Sequence, residues 1–192
     1  MVDLVGLHKH FIMEHLKEGD VAVDFTMGNG NDTRFLSKAG GESGRVYAFD
    51  ILEDALISTK EHLVTNGAPE NYTLICASHH RVKEFVNEPI KAGMFNLGYL
   101  PRSGRKAVTT MRETTMPAVE AALELLAPDG VLIVAIYPGH EEGALEGEML
   151  REYFSGLSKY RICPSEFKIL NSPTSPYFFL VEKSPRAKFG EI

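Results

Sequence analysis

The chain has 192 residues, 44% of them hydrophobic and 24% charged, and 20 basic against 26 acidic side chains give a net charge of −6. This length suits one well-buried domain over residues 1–192. The negative charge argues against nonspecific binding to duplex nucleic acid, although clustered basic residues leave a local RNA-binding face open. The sequence contains no long apolar run and no signal-peptide pattern, so we expect a cytoplasmic protein.

Two cysteines, Cys76 and Cys163, stand far apart and form no CxxC pair. We therefore expect both to be reduced and buried. The seven histidines include no HExxH spacing, and we predict no metal site.

Hydrophobic periodicity predicts strands and helices that alternate along the chain. The predicted helices cover residues 4–17, 32–38, 54–64, 80–86, 115–126 and 142–157. The predicted strands cover residues 21–25, 45–50, 72–76, 94–97, 131–137, 162–170 and 177–182. A turn at 127–130 precedes the fifth strand, and the polar loop 98–110 is longer than most connections in such folds.

The last two predicted strands are joined without a helix, so they have to be antiparallel neighbours. The other strands are separated by helices, as parallel strands require. We therefore predict an α/β fold with a doubly wound, seven-stranded, mostly parallel sheet, in which the antiparallel last strand lies at the edge. This is a Rossmann-like architecture.

The stretch VAVDFTMGNGND, residues 21–32, predicts a strand, a glycine loop and the start of a helix, which is where open α/β sheets bind nucleotide-like ligands. Charge indicates which ligand. A carboxylate at Asp24, four residues before Gly28, would repel a pyrophosphate but suits S-adenosylmethionine (SAM), which carries an ammonium, a sulfonium and no phosphate. Thr33 also occupies the position at which a dinucleotide site has its third glycine.

A second acid, Asp50, ends the second predicted strand 20 residues after Gly30, where a carboxylate can accept both ribose hydroxyl hydrogens. Either acid alone could be a turn or capping residue. Ser78 and His79 follow the third strand and are expected near the adenine, although Ser78 could instead cap a short helix. The predicted SAM-binding residues are Asp24, Thr26, Gly28, Asn29, Gly30, Asn31, Asp32, Thr33, Asp50, Ile51, Ser78, His79 and Asn96.

The strongest catalytic signal is NLGYLP, residues 96–101, because a strand delivers the Asn96 amide to the edge where the SAM methyl group should point. Its carbonyl oxygen can accept a hydrogen bond from an amine and turn the nitrogen lone pair toward the sulfonium, while Tyr99 offers a ring for stacking a base. The stretch resembles the (N/D)PP(Y/F) motif of amino-methyltransferases, with Leu97 and Gly98 replacing the prolines. A tight turn with a packed tyrosine is the alternative.

His140 in YPGH is expected to line the acceptor pocket, and we predict Asn96, Tyr99 and His140 as catalytic residues. His10 could cover the same pocket, although a plain surface or core role is as reasonable. The stretch 102–112 carries four basic residues and no acid, so it is a candidate RNA contact. The predicted substrate or RNA contacts are His10, Gly98, Tyr99, Pro101, Arg102, Arg105, Lys106 and Arg112.

Four stretches together, DFTMGNGNDT, YAFDI, NLGYLP and YPGHEEG, resemble the bacterial rRNA methylase family, and the resemblance covers the chain from about His8 to Glu182. It implies a class I SAM methyltransferase fold and SAM as cofactor. Some members methylate the wobble uridine of tRNA, so the resemblance also implies methylation of the 5-aminomethyl group of (2-thio)uridine 34 and a tRNA anticodon stem-loop as partner. Family analogy further suggests a homodimer, in which the apolar residues 177–179 are either core or interface.

Three alternatives remain open from the sequence. The first keeps the chemistry but takes rRNA or a small amine as substrate, and the basic 102–112 loop argues against a small molecule. The second is an NAD-dependent oxidoreductase, against which Asp24 and Thr33 argue. The third is a noncatalytic SAM- or RNA-binding protein, which the intact NLGYLP stretch beside the glycine loop disfavours.

Overall fold

The computed structural model describes residues 4–97, 111–139 and 141–192. The helices in these ranges are α1 (Leu4–His15), α2 (Asn31–Gly40), α3 (Glu53–Thr65), α4 (Arg112–Leu125) and α5 (Glu141–Ser155), with a short 3₁₀ helix at His79–Glu84. The strands are β1 (Val21–Asp24), β2 (Arg45–Asp50), β3 (Tyr72–Cys76), β4 (Ile90–Leu97), β5 (Leu126–Ile136), β6 (Ile162–Phe167) and β7 (Tyr177–Lys183).

The seven strands form one sheet in the order β3-β2-β1-β4-β5-β7-β6. Neighbouring strands are parallel except that β7 runs antiparallel to both β5 and β6. The predicted fold class is confirmed, but the predicted position of the reversed strand is wrong because β7 lies inside the sheet and β6 forms the edge. The sequence YFFLVEK explains this, since Tyr177–Val181 are all buried and an interior strand is covered on both faces.

Some predicted boundaries also differ from the structure. β4 begins at Ile90 rather than Met94, and β5 begins at Leu126 because Leu126 pairs with Ile90 before the register shifts. The predicted turn at 127–130 is therefore an irregularity within β5, and Asp129 there has a φ of 58°. β6 ends at Phe167 rather than at residue 170.

Two apolar clusters cover the two faces of the sheet. α1 and α2 bury Ile12, Leu16 and Leu36 on one face, while α4, α5 and the 3₁₀ helix pack on the other. The residues 177–179 are at most 4% exposed and belong to these clusters. Of the two interpretations of this segment, the core is therefore the one that the structure supports.

The cysteines are not buried as expected. Cys76 and Cys163 are both exposed free thiols, since they lie on β3 and β6, the two edge strands of the sheet. Across the described ranges, no helix has both the length and the apolar character that crossing a membrane requires.

The strand order reverses between β1 and β4, because the chain continues from β1 toward β2 on one side and from β4 toward β5 on the other. Such a switch point leaves a crevice at the carboxyl ends of the two strands. Two hydrogen bonds join the strands there: Phe25 N–H donates to the Met94 carbonyl over 2.9 Å, and Asn96 N–H donates to Thr26 Oγ1 over 2.8 Å. The crevice is therefore bounded by fixed backbone on both sides.

Candidate active site

The glycine loop, residues 25–30, connects β1 to α2 and is shaped by two glycines in the left-handed region. Gly28 has φ 50° and Gly30 has φ 79°, conformations that side chains with a Cβ rarely adopt. A Cβ on Gly30 would also lie 3.0 Å from Thr59 Cα. Thr59 Oγ1 in turn donates to the Gly28 carbonyl over 3.0 Å, so α3 holds the loop from behind.

The Asp24 carboxylate at the end of β1 is fully buried. Its oxygens accept hydrogen bonds from Thr26 N–H over 3.1 Å and from the Thr33 hydroxyl over 2.7 Å. Burial, together with the nearby Asp32 charge, raises the pKa of Asp24 to about 7, although the two hydrogen bonds oppose the shift. Asp24 is thus bonded inside the protein and presents no exposed surface to a ligand. Thr33, at the position where a dinucleotide site has its third glycine, is its hydrogen-bond partner.

Asp50 at the end of β2 has a different environment. One oxygen accepts from Gly28 N–H over 3.2 Å and the other from Leu52 N–H over 3.0 Å, and the residue is half-buried. Partial burial raises the pKa of this carboxyl as well. The next residue, Ile51, is 56% exposed, so a partly open carboxylate and an apolar side chain stand together beside the glycine loop.

His79 lies beneath the loop rather than at its rim. Its Nδ1 is 3.3 Å from the Phe25 carbonyl, which can only accept, so Nδ1 carries the proton and Nε2 is an acceptor. Nε2 is buried and has no hydrogen-bond partner among the described residues. Burial lowers the pKa of His79 to about 4, which keeps the ring neutral. Ser78 makes no side-chain cap to the 3₁₀ helix, so that alternative is not supported.

A chain of polar side chains, which we call the amide network (Lys9, Asp32, Asn96 and Tyr137), lies at the carboxyl ends of β4 and β5. Asn96 Nδ2 donates to Asp32 Oδ2 over 2.6 Å, and Lys9 Nζ lies 3.4 Å from Asp32 Oδ1. The Tyr137 hydroxyl donates to Asn96 Oδ1 over 3.4 Å. Side chains from α1, α2, β4 and the end of β5 therefore converge on one amide group.

Sequence analysis missed Lys9, Thr59 and Tyr137. Tyr137 opens the stretch YPGHEEG, but the histidine three residues later was the only residue of this stretch predicted to belong to the site. Lys9 adjoins His10 on α1, yet the side chain that reaches the site is the lysine. Thr59 gave no local signal, because only the packing of α3 brings it to the loop.

The remaining predicted residues occupy varied positions. Asn29 Oδ1 accepts from Ser58 Oγ over 3.2 Å, and Asn31 is the exposed first residue of α2. His10 is exposed and 4.0 Å from Glu14, whereas Arg112 Nε donates to Glu142 Oε1 over 3.0 Å and so joins α4 to α5. Seven predicted residues lie outside the described residues: Gly98, Tyr99, Pro101, Arg102, Arg105, Lys106 and His140.

Within the described ranges, no group of three or more His, Cys, Asp or Glu residues is placed to hold a metal ion. The described features instead fit SAM: two glycines at positive φ, a partly exposed carboxylate at Asp50, and a buried, unpartnered acceptor on His79. With the strand order of the sheet, they define a SAM-dependent methyltransferase.

Comparison with known proteins identifies the family within this class. The model of the family described as "Putative rRNA methylase" matches residues 46–183. A curated relative, the chloroplastic tRNA (mnm(5)s(2)U34)-methyltransferase of Arabidopsis thaliana, is 36% identical over 185 residues, which is 91% of this chain and 67% of the relative. The chain therefore belongs to the rRNA methylase family.

Two solved structures resemble this one. A "putative rRNA-methylase" from Clostridium thermocellum has a TM-score of 0.91 at 37% identity, covering 95% of this chain and 98% of the other. A "putative methyltransferase" from Streptococcus mutans in complex with SAH has a TM-score of 0.86 at 35% identity, covering 95% and 99%. Both comparisons extend over almost the whole of each chain.

Proposed function

We propose that this methyltransferase transfers the methyl group of SAM to the primary amine of 5-aminomethyl-(2-thio)uridine at position 34 of tRNA, giving the 5-methylaminomethyl form. The observation that carries the proposal is the Asn96 amide near the end of β4, whose nitrogen lies 2.6 Å from Asp32 Oδ2 in the first turn of α2. The name of the Arabidopsis relative supports the choice of substrate. The carbonyl oxygen of such an amide can hold an amine beside the cofactor crevice.

The chemistry requires alignment more than activation, since bound SAM supplies an electrophilic methyl group. Asn96 Oδ1 accepts one N–H of the neutral amine and thereby directs the nitrogen lone pair along the line of transfer. The N–C bond forms as the C–S bond breaks, sulfur keeps the electron pair, and the resulting ammonium releases a proton. The protein's main contributions are orientation and the exclusion of water.

The proton has few acceptors within the described residues. His79 has a pKa lowered to about 4 and its ring is buried, so it is a poor base at neutral pH. We propose that the proton leaves to solvent or through His140.

Binding of the tRNA is assigned to the basic stretch between β4 and α4. We propose that Arg102, Arg105 and Lys106 contact anticodon phosphates and that Tyr99 stacks on a base. Such contacts predict tRNA binding that weakens steeply with salt. We further propose that residues 1–192 act as a single cytoplasmic domain, and that the protein forms a homodimer as family analogy suggests.

The test is nucleoside mass spectrometry of tRNA from cells with and without this protein. Cells that lack it should accumulate wobble 5-aminomethyl-(2-thio)uridine, and the purified protein with SAM should convert that nucleoside to the methylated form. A matched assay with ribosomal RNA and with free aminomethyluridine distinguishes the other acceptors. Unchanged tRNA together with a methylated alternative would overturn the substrate, whereas SAM binding without any transfer would favour a noncatalytic protein.

A further inference from the structure

The amide network fixes which way the Asn96 side chain points. The carboxylate of Asp32, which also lies 3.4 Å from the Lys9 ammonium, accepts hydrogen bonds, so the atom 2.6 Å from it is the amide nitrogen of Asn96. The amide oxygen then faces the Tyr137 hydroxyl, which can donate to it. The carboxylate selects this orientation of the amide, and the hydroxyl, which can donate or accept, is compatible with it.

This orientation determines what the amide can bind. With the oxygen toward the crevice, Asn96 has a second lone pair to accept an N–H from an amine, whereas a flipped amide would present N–H groups to it. A flipped amide would also place its oxygen against Asp32 Oδ2, which would lose the donor it has in this structure. Burial and the Asp32 charge both raise the pKa of the Tyr137 hydroxyl, so the hydroxyl keeps its proton and remains a donor.

We infer that Asp32 and Tyr137 are positioning residues that hold the Asn96 amide with its oxygen toward the acceptor amine. The inference rests on the proposed function for the identity of the acceptor, but the orientation itself is independent of it. Both Asp32 oxygens are engaged, one by Lys9 and one by Asn96. Its side chain is 15% exposed, so Asp32 acts through its neighbours.

The kinetic test uses Asp32→Asn and Tyr137→Phe, which keep the size of each side chain. An asparagine at 32 can both donate and accept, so it no longer selects one orientation of Asn96. We expect kcat to fall about 10- to 100-fold in Asp32→Asn and about 3- to 10-fold in Tyr137→Phe, with SAM affinity within about two-fold of wild type. The two losses should be less than multiplicative in the double variant because both act on one amide.

The matched controls are Asp20→Asn and Tyr72→Phe. Asp20 accepts from Lys17 N–H before the amino end of β1, and the Tyr72 hydroxyl accepts from Lys60 on the edge strand β3. Neither change should alter kcat by more than about two-fold. If Asp32→Asn weakened SAM binding as much as it lowered the rate, Asp32 would be a cofactor ligand and the inference would be overturned.

A spectroscopic measurement separates this inference from the proposed function. In ¹⁵N–¹H spectra, the side-chain amide pair that is missing from Asn96→Ala belongs to Asn96. That pair should shift in Asp32→Asn and in Tyr137→Phe and stay in place in both controls. If the Asn96 signals shift but the wild type has no activity on tRNA, only the proposed substrate is overturned. If the wild type is active on tRNA but neither substitution shifts the Asn96 signals, the inferred orientation of the amide is overturned.

Discussion

The glycine loop and the amide network lie at the same carboxyl edge of the sheet, but they are held in different ways. The loop depends on backbone geometry, with Gly28 and Gly30 at positive φ and the buried carboxylate of Asp24 bonded inside the protein. The network depends on side chains that hold one another, with Asp32, Asn96 and Tyr137 arriving from three separate elements. The acids of the two regions consequently have different tasks, although Asp24 and Asp32 are only eight residues apart.

This difference separates stability from rate. A change at Asp24 disturbs buried hydrogen bonds and should change the stability of the whole fold. A change at Asn96 leaves the backbone bond from its N–H to Thr26 intact and removes only the amide. Substitutions in the first region should therefore alter the free energy of unfolding, and substitutions in the second should alter turnover.

The largest expected effect is the pH dependence that Asp24 gives to stability. Its pKa of about 7 in the folded protein exceeds the ordinary aspartate pKa of 3.8, so between these values the folded state keeps a proton that the unfolded chain loses. The free energy of unfolding should thus fall as pH rises from about 4 to about 7, by up to about 4 kcal/mol from this group. Urea denaturation of wild type and Asp24→Asn across this window measures it as the difference between the two curves. Parallel curves would contradict the assignment.

A somewhat smaller effect, about 3 kcal/mol in the activation barrier, is expected from Asn96→Ala. Turnover should fall more than about 100-fold because the amine loses the acceptor that orients it, while SAM affinity stays within about two-fold. Single-turnover kinetics and calorimetry with SAM measure the two quantities. Asn66→Ala, at the exposed end of α3, is the matched control and should keep the wild-type rate. Near wild-type turnover in Asn96→Ala would remove its assigned role.

The smallest effect is expected from Lys9→Met, which breaks the ion pair between α1 and Asp32. The pair spans 3.4 Å and is partly exposed, so its loss should lower the free energy of unfolding by less than about 1 kcal/mol, and less still in about 0.5 M salt. Urea denaturation at two salt concentrations measures this. Lys17→Met is the control on the same segment, because Lys17 Nζ donates to the Met13 carbonyl over 2.8 Å rather than to a carboxylate. A salt-independent loss would argue against an electrostatic role.

Much of the fold could be predicted from the sequence, because hydrophobic periodicity and the positions of the glycines mark where helices and strands begin and end. The reversed last strand was predicted from the missing helix between β6 and β7. Its place inside the sheet was not, since a short apolar run gives no order of neighbours, even though YFFLVEK is apolar on both faces. The first four residues of β4 were missed because their pairing with β5 is irregular, with a register shift between Ile90 and Ala92.

The candidate site was predictable to the level of segments rather than of contacts. Asp24, Asp50 and Asn96 all lie at the carboxyl edge, as their positions at strand ends required. Whether a carboxylate points inward or toward a ligand depends on packing, and Asp24 points inward because Thr33 meets it from α2. Tyr137 could not be linked to Asn96 from sequence, since the two are 41 residues apart and adjoin only when β4 and β5 pair.

The interior position of β7 also bears on how the chain is made. Among the strands of the described ranges, β6 pairs only with β7, so this flank of the sheet stays incomplete until β7 has been synthesised. Strands β1 to β4 pair with one another without β7 and can associate while translation continues. A ribosome stalled shortly before Tyr177 would therefore carry a nascent chain with its cofactor crevice largely assembled and the edge of β5 open to aggregation.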